Sequence, residues 1–421
     1  MFLCLFVFLA IGVPVGVCLI LPIFILIAIE PVTTPQYLAQ VMYAGVANFM
    51  VMAIPFFILS GSLMDGGGLS RRLVRIANSA IGSITGSLGM VAVVSCMFFG
   101  AVSGSSPATV AAIGAIMLPE MVRGGYNKFY ALGLMTVAGS LGVVVPPSYP
   151  MVVYGVTTNT SIGTLFIGGI GPALIVGGIL ILINYVYCRK HGIKGQKKAS
   201  LKEFLRAVAD GLPALFMPII ILGGIYGGIF TPTEAAVVAV VYSVVIGLFW
   251  YKELKWKPVL AQFRETSTFV GGTLLTMAPA AALGHIFAYQ GVNRVISELF
   301  LSVSDNKYVI LTLVFGILFI AGMFLQTTPI IVILGPLFLS VLTPLGIDPV
   351  HFGLMMVLAL CIAFCTPPVA CNLFVASSMT GIPVDKIVKP MLPFLGGLVV
   401  ALFVVGFVPD TVHFFIRLFG A

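Results

Sequence analysis

The stretch Val102-Ser103-Gly104-Ser105-Ser106-Pro107-Ala108-Thr109 decides the fold, because it sets small hydroxyl residues, glycine and proline inside otherwise apolar sequence. Further along, Val145-Pro146-Pro147-Ser148 makes a second interruption of the same kind. In a membrane, a helix broken at such a point exposes backbone carbonyls and amides, which is tolerated only where protein or a water-filled cavity covers them. We therefore expect residues 98–160 to contain a buried polar site between broken helices.

A second copy of this pattern lies in the other half of the chain. The matching landmarks are Ser106-Pro107 with Thr328-Pro329, Gly125-Tyr126 with Gly346-Ile347, Pro146-Pro147 with Pro367-Pro368, and Pro172 with Pro393. The spacing is 221 residues in three of the four pairs and 222 in the remaining one. A nearly constant spacing across four landmarks indicates two structural repeats.

The composition is that of a membrane protein. Of 421 residues, 60% are hydrophobic and 8% are charged, and the mean hydropathy is +1.17. Soluble domains carry about 25% charged residues. Since a membrane span needs roughly 20 apolar residues, about ten to twelve elements fit, counting re-entrant ones. The sequence predicts an all-α polytopic membrane protein surrounded by lipid.

The distribution of basic residues predicts the topology. Residues 189–206 hold seven of the 21 Lys and Arg residues, and we place the linker 189–210 in the cytoplasm by the positive-inside rule. The net charge of +8 is concentrated in such short loops, so we expect no nucleic-acid partner. The loop 123–128 is basic, whereas its repeat counterpart 346–351 carries Asp348 and no Lys or Arg. The two loops are therefore expected on opposite sides, as in an inverted repeat.

These observations divide the chain into two inverted repeats around the linker. Each repeat is expected to contain a re-entrant helical hairpin and a broken span, because the apolar segments are too long for one crossing. The first repeat covers 1–188, with a hairpin at about 87–119 and a broken span at about 129–160. Residues 211–421 form a linking span and the second repeat, with a hairpin at about 308–345 and a broken span at about 352–378.

The residues available for chemistry favour transport over catalysis. The chain has no Walker A motif, its four histidines are scattered, and its seven cysteines form no Cys-x-x-Cys pair, so we expect no ATP use, no enzyme activity and no metal other than sodium. The interruptions supply hydroxyl and freed carbonyl oxygens, which suit an alkali cation. The helix N-termini beside them suit an anion. The alternative is that these hydroxyls only hydrogen-bond across packed helices.

Three residues outside the interruptions carry separate hypotheses. Ser70 is a plausible N-cap for the basic segment that follows it. Glu234, beside Thr231-Pro232-Thr233, is expected to cap the next helix rather than to bind substrate. His285 lies in an apolar span, where an ionisable group is a candidate functional residue.

Over nearly its whole length, the chain resembles the large membrane subunit of tripartite ATP-independent periplasmic (TRAP) transporters. The segments that carry the resemblance are Ala53-Ile54-Pro55-Phe56-Phe57-Ile58-Leu59, Val102-Ser103-Gly104-Ser105, Gly124-Gly125-Tyr126, Pro146-Pro147-Ser148, Phe230-Thr231-Pro232-Thr233-Glu234-Ala235-Ala236, Thr366-Pro367-Pro368-Val369 and Asn372-Leu373-Phe374. Each segment alone is weak evidence, whereas the set is specific.

The resemblance implies a sodium-driven importer of organic acids in the bacterial inner membrane. It implies an elevator-type fold, in which the hairpins and broken spans move as one body against a scaffold. It also implies two partners, namely a small four-helix membrane subunit and a periplasmic substrate-binding protein. Substrates of the family include C4-dicarboxylates, sialic acid and other sugar acids, and this sequence gives only a slight preference for sialic acid. The alternative is a stand-alone sodium/anion symporter of the same architecture.

Carried onto this sequence, the resemblance implies two or more sodium ions. One would be bound by Ser103, Gly104, Ser105, Ser106, Pro146 and Ser148, and another by Thr327, Thr328, Thr366 and Pro367. The substrate would lie between the hairpin tips, against Ser105, Ser148, Gln326, Thr327 and Asn372. Gln326 stands where the resemblance leads us to expect aspartate in many relatives, so a charged contribution to the second half of the site is in doubt.

Overall fold

The computed structural model describes residues 4, 7–8, 11–29, 33–196, 198–368 and 370–420. Parts of the first predicted span and of the turn at 30–36 lie outside the described residues, as do Lys197 of the linker and Val369 of the resemblance. Within the described part, every regular element is helical, and seven helices are long and apolar enough to cross a membrane. The prediction of an all-α polytopic membrane protein is confirmed.

In the described residues, the first half of the chain contains ten α-helices. They are α1 (Val15–Ile29), α2 (Pro35–Val46), α3 (Ala53–Gly66), α4 (Leu69–Ile81), α5 (Ser87–Ser103), α6 (Ser106–Arg123), α7 (Lys128–Ala138), α8 (Leu141–Val144), α9 (Tyr149–Thr158) and α10 (Ile162–His191). A 3-10 helix, Phe49–Met52, precedes α3. The 3-10 helix therefore separates α2 from α3. Asn48 is its N-cap, and the Asn48 side chain accepts a hydrogen bond from the Met50 amide.

The second half contains a matching set. Its helices are α11 (Leu201–Tyr226), α12 (Pro232–Val245), α13 (Trp256–Tyr289), α14 (Val292–Val303), α15 (Lys307–Phe324), α16 (Thr327–Leu342), α17 (Pro349–Ala363), α18 (Cys371–Thr380), α19 (Val384–Phe407) and α20 (Asp410–Phe419). A π-helical turn, Ile246–Trp250, extends α12. Helix α13 includes the polar stretch that follows Trp256, so it begins ten residues before the apolar segment that starts at residue 266.

Helix α10 shows that the two repeats are inverted. It has 30 residues and is therefore about 45 Å long. At its C-terminal end, Tyr187 stacks on Tyr130 of α7, with 3.4 Å between the ring centroids. Near its N-terminal end, the Tyr154 hydroxyl of the preceding helix donates to the Pro349 carbonyl at the start of α17. The loops that begin α7 and α17 thus lie at opposite ends of α10.

The packing between the repeats is crossed. Helix α9, the second half of the first broken span, packs on α16 of the other hairpin. Helix α18, the second half of the other broken span, packs on α6 of the first hairpin. Each broken span therefore ends against the hairpin of the opposite repeat, and the two polar interruptions meet in the interior.

A charged cluster joins three segments of the chain, one of which is the end of the linker predicted to be cytoplasmic. Arg72 of α4 lies 3.4 Å from Asp210 and 2.8 Å from Glu253, with its guanidinium 3.6 Å from the centre of the Tyr251 ring. Burial raises the pKa of the Tyr251 hydroxyl to about 12, so this hydroxyl stays protonated and donates to the Asp210 carbonyl. The cluster ties α4 to α11 and to the loop after α12.

The helix-end hypotheses had opposite outcomes. Glu234 forms a capping box with Thr231 at the start of α12, which confirms its expected role. The N-cap expected at Ser70 is wrong. The cap of α4 is Gly68, whose φ of +76° is left-handed, and Ser70 lies inside the helix with its hydroxyl bonded to Asp65.

Candidate functional site

The first hairpin turns at Gly104 and Ser105, which we call the first tip. Gly104 has a φ of +58°, in the left-handed region that favours glycine. It lies directly against the first break, residues 145–148, which separates α8 from α9. A Cβ at Gly104 would be 3.1 Å from the Pro147 carbonyl oxygen and 3.4 Å from the Ser148 Cα. Both the turn and the close approach therefore require glycine here.

Hydroxyl groups collect around this contact. The Thr109 hydroxyl donates to the Ser105 carbonyl over 2.7 Å, and the Ser103 hydroxyl lies 3.2 Å from the Thr109 oxygen. The Ser148 side chain is fully buried, and its hydroxyl has no hydrogen-bond partner in the described part of the chain. A buried polar atom without a partner needs an explanation such as a bound ion or water. The break that carries it lies against the first tip, where hydroxyl and carbonyl oxygens are present, and such oxygens suit a hard cation such as sodium.

The second hairpin turns at Leu325 and Gln326, the second tip. Both residues are extended, with φ values of −115° and −70°, so no left-handed residue is needed. This tip lies beside the second break, residues 364–368 and 370, and lines a small pocket together with Ala363, Phe364 and Ala370. The Thr366 hydroxyl donates to the Ile362 carbonyl over 2.9 Å.

Two polar contacts cross between the repeats. The Ser106 hydroxyl lies 2.9 Å from Asn372 Oδ1 and 3.2 Å from the Gly139 carbonyl, and it donates to the nearer oxygen. Tyr149 and Thr327 lie where α9 packs on α16, with the Tyr149 hydroxyl near the side chain of Thr327. Tyr149 was not among the predicted site residues, although its position directly after Pro-Pro-Ser at the start of α9 could have indicated it.

The electrostatics of the site arise without charged side chains. The predicted hairpins and broken spans, 87–119, 129–160, 308–345 and 352–378, contain no Asp, Glu, Lys or Arg. Helices α6, α9, α16 and α18 all begin at the tips or breaks, and their N-terminal amides carry a partial positive charge. In the described residues, no group of three His, Cys, Asp or Glu could hold a metal ion.

A cavity of about 750 Å³ opens beside the second tip. It is lined by α1, α2 and the middle of α13, and Gln326 is the tip residue that reaches it. Phe269 of α13, in the cavity wall, also packs edge-on against the Tyr149 ring. The cavity therefore lies next to the point where the two interruptions meet.

The structure separates the predicted ligands into three groups. Those gathered at the first tip and break are Ser103, Gly104, Ser105, Pro146 and Ser148. Those at the second tip and break are Gln326, Thr327, Thr328, Thr366 and Pro367. Ser106 and Asn372 instead bond to each other between the two groups. The ligand role of each residue stays a prediction, and so does any role for His285, which is exposed beside two smaller cavities.

Comparison with known proteins identifies relatives along the whole chain. A family model described as "Tripartite ATP-independent periplasmic transporter, DctM component" matches residues 2–411. The C4-dicarboxylate TRAP transporter large permease protein DctM of Pseudomonas aeruginosa is 41% identical over 86% of this chain and 85% of its own length. The sialic acid TRAP transporter large permease protein SiaM of Vibrio cholerae is 35% identical over 95% and 93%, respectively.

A third relative is longer. The isethionate TRAP transporter permease protein DctMQ of Oleidesulfovibrio alaskensis is 40% identical over 97% of this chain, which spans 64% of that relative. Among solved structures, the YdaH transporter of Alcanivorax borkumensis matches with a TM-score of 0.60 and 16% identity, covering 88% of each chain. At that identity the structural match supports the fold alone.

Proposed function

The chain belongs to the TRAP transporter DctM family of large permease subunits, and on this premise we propose that it imports an organic acid anion coupled to sodium. It is a multi-pass membrane protein of a family of transporter subunits. The observation that carries the proposed coupling is the buried Ser148 hydroxyl, which has no hydrogen-bond partner in the described part of the chain and belongs to the break that lies against the first tip.

The absence of charged side chains from the hairpins and broken spans gives a physical reason for coupling. An anion placed between the tips finds no Lys or Arg there, so its charge must be balanced by helix N-termini and by other bound charges. A sodium ion held by hydroxyl and carbonyl oxygens supplies such a charge. Each ion then raises the affinity for the anion, and the anion raises the affinity for sodium by the same factor.

The packing supports a moving body and a scaffold, as an elevator mechanism requires. Helices α3 and α12, α4 and α11, and α2 and α13 pack in pairs. The hairpins and broken spans pack on one another across the repeats. The two sets meet along α3–α5, α4–α5 and α13–α16, with Gly61 of α3 packed against Ser103, and the 750 Å³ cavity lies between α13 and Gln326 of the second tip. We propose that the two sets slide past each other at this boundary.

The substrate is proposed to be a small organic acid. Relatives are named for C4-dicarboxylates, sialic acid and isethionate, all of which are anions, and a site of hydroxyls and helix N-termini suits any of them.

We propose the bacterial inner membrane as the location. The proposed partners are a small four-helix membrane subunit and a periplasmic binding protein, in keeping with the tripartite family. The alternative is a stand-alone sodium/anion symporter.

Reconstitution in liposomes tests this proposal. The chain is inserted with its small subunit, the binding protein is added outside, and uptake of labelled sialic acid, succinate and isethionate is followed under an imposed sodium gradient. Uptake that requires both sodium and the binding protein is expected. Uptake that does not require the binding protein would favour the stand-alone symporter. Failure of sodium to drive uptake of any of these acids, with correct folding shown separately, would contradict the proposed coupling.

A further inference from the structure

The side chain of Asn372 forms hydrogen bonds within the protein at both ends of its amide group. It is fully buried as the second residue of α18, directly after the second break. Its Oδ1 accepts from Ser106, and its Nδ2 lies 3.1 Å from the Thr136 carbonyl and 3.6 Å from the Cys365 sulfur. Because a carbonyl can only accept, the Thr136 contact fixes which end of the amide faces Ser106. Both ends of the amide are therefore engaged within the protein, and one lone pair of Oδ1 remains.

These bonds connect the second break to the first tip. Ser106 is the first residue of α6, immediately after the first tip, and Thr136 lies in α7 on the way to the first break. A single side chain of the second repeat therefore holds both elements that position the first group of oxygens. The contact is buried on both sides, since Ser106 and Asn372 are 0% exposed.

The opposite crossing has the same geometry. Thr327 follows Ser106 by 221 residues, the repeat spacing, and is likewise the first residue of its helix. It lies near the hydroxyl of Tyr149, the first residue of α9 after the first break. Each hairpin therefore packs on the helix that follows the break of the other repeat, and the Ser106–Asn372 bond is the observed hydrogen bond of this pair of crossings.

We propose that the Ser106–Asn372 hydrogen bond couples the two predicted ion sites, so that sodium binding at one raises the sodium affinity of the other. This inference rests on the proposed sodium coupling. An ion at the second break orders the start of α18 and with it Asn372, which then holds Ser106 and the first tip in the binding geometry. Ordering that has occurred for one ion is not repeated for the next, which produces positive cooperativity. Ser106 and Asn372 are therefore positioning residues.

The test measures sodium binding by the full-length chain without any substrate. The melting temperature of the purified protein is recorded against sodium concentration, with choline chloride replacing sodium chloride at constant total salt. A ligand that binds the native state raises this temperature with its concentration. The wild type is expected to give a Hill coefficient of about 2, since two coupled sites allow at most that value.

Four variants distinguish coupling from general stability. Ser106→Ala, Asn372→Ala and the double variant should each bring the Hill coefficient to about 1 and raise the half-saturating sodium concentration by about fivefold or more. The double variant should be no worse than either single one, because all three remove the same bond. Ser106→Thr should retain cooperativity, since Thr327 is likewise the first residue of the corresponding helix in the other repeat.

Asn184→Ala is the matched control. Asn184 is also fully buried and donates to a backbone carbonyl, Gly86, but it lies near the C-terminal end of α10, away from both tips. It should lower the melting temperature without changing the Hill coefficient. If Asn372→Ala does not fold, Ser106→Ala, which removes one oxygen atom, still decides the question.

The outcomes separate the inference from the proposed function. A wild type that sodium does not stabilise at all contradicts the sodium sites and the coupling together. A wild type that binds sodium with a Hill coefficient of 1 overturns the coupling alone. An unchanged Hill coefficient in Ser106→Ala, or additive losses in the double variant, overturns it as well.

Discussion

The two tips occupy equivalent places in the two repeats but differ in how closed they are. At the first, Pro146, Pro147 and Ser148 of the break are buried, and Gly104 allows the turn to approach the break closely. At the second, Gln326 and Pro368 are exposed, and the large cavity opens beside the tip. Each tip is followed by a helix that begins with a hydroxyl residue, Ser106 or Thr327. Only the first tip is enclosed.

This difference suggests a division of roles within the site. An enclosed group of oxygens can remove the hydration shell of an ion and hold it in fixed geometry, as the first tip does with its buried hydroxyls. An open tip next to a cavity can admit a molecule of variable size. We therefore expect substitutions at the first tip to act on sodium and those at the second tip to act on the organic acid.

The largest effect is expected for Gly104→Ala. An alanine in the left-handed region costs about 1–2 kcal/mol, and its Cβ would also press on the Pro147 carbonyl, 3.1 Å away. Sodium-dependent uptake should fall by at least about tenfold, the equivalent of 1.4 kcal/mol. Gly125→Ala is the control, because Gly125 has a φ of +89° but no atom within 4 Å of the added Cβ. Equal losses in both variants would show that backbone strain, and not the contact, is responsible.

The second-largest effect is expected for Ser148→Ala. Removing a buried hydroxyl that lacks a partner should leave the melting temperature without sodium unchanged or higher, because an unpaired polar group is costly to bury. With sodium, the half-saturating concentration should rise about tenfold, or about 1.4 kcal/mol. The readout is the same sodium titration of melting.

Ser95→Ala is the comparison for Ser148→Ala. Ser95 is also buried in α5 with an unpartnered hydroxyl in the described part of the chain, nine residues before Gly104. It should behave like Ser148→Ala without sodium and like the wild type with it. A shift in sodium affinity of the same size in both variants would remove Ser148 from the ion site.

Gln326→Glu should act on the substrate rather than on sodium. The change keeps the shape of the side chain and places a negative charge beside the cavity, which repels an anion. We expect a several-fold rise in KM, larger for a dianion such as succinate than for a monoanion such as sialic acid, with the sodium dependence retained. An equal rise for both acids would argue against an anion bound near this side chain.

The smallest effect is expected for Thr366→Val. Its hydroxyl donates to the Ile362 carbonyl and keeps both lone pairs, but Thr366 is only half-buried, so water can replace it as a ligand of an ion. Hydrogen bonds of this kind in membrane helices contribute about 0.6 kcal/mol on average, or about threefold in affinity. Half-saturating sodium in uptake should therefore change by no more than that. A loss as large as that of Ser148→Ala would make the second site as tight as the first.

The sequence predicted the architecture well where it relied on repeat spacing and composition. Polar interruptions at Ser103–Ser106 and at Pro146-Pro147 predicted where helices end, because glycine, proline and hydroxyl residues interrupt the backbone hydrogen bonding of a helix locally. The Thr231 and Glu234 cap was also readable from sequence, since its two partners are three residues apart. The N-cap predicted at Ser70 was wrong because Gly68, in a left-handed conformation, begins the helix two residues earlier.

Side-chain assignments were harder, because the partners are far apart in sequence. Ser106 and Asn372 are 266 residues apart, and nothing in the local sequence of either shows that they bond to each other. Tyr149 was missed because nothing in its local sequence shows that α9 packs on α16. The local pattern indicated which oxygens were available but not which of them were already occupied.

The sequence by itself determined a membrane-embedded chain of two inverted repeats, each broken at a hydroxyl-rich tip and at a Pro-Pro pair. It could do so because hydropathy, helix breaking and charge placement are local properties. Only the tertiary structure decided that the breaks cross to the opposite hairpins, that Ser148 is left without a partner and that the second tip faces a cavity. Those features depend on contacts between residues hundreds of positions apart, which arise when the repeats pack together.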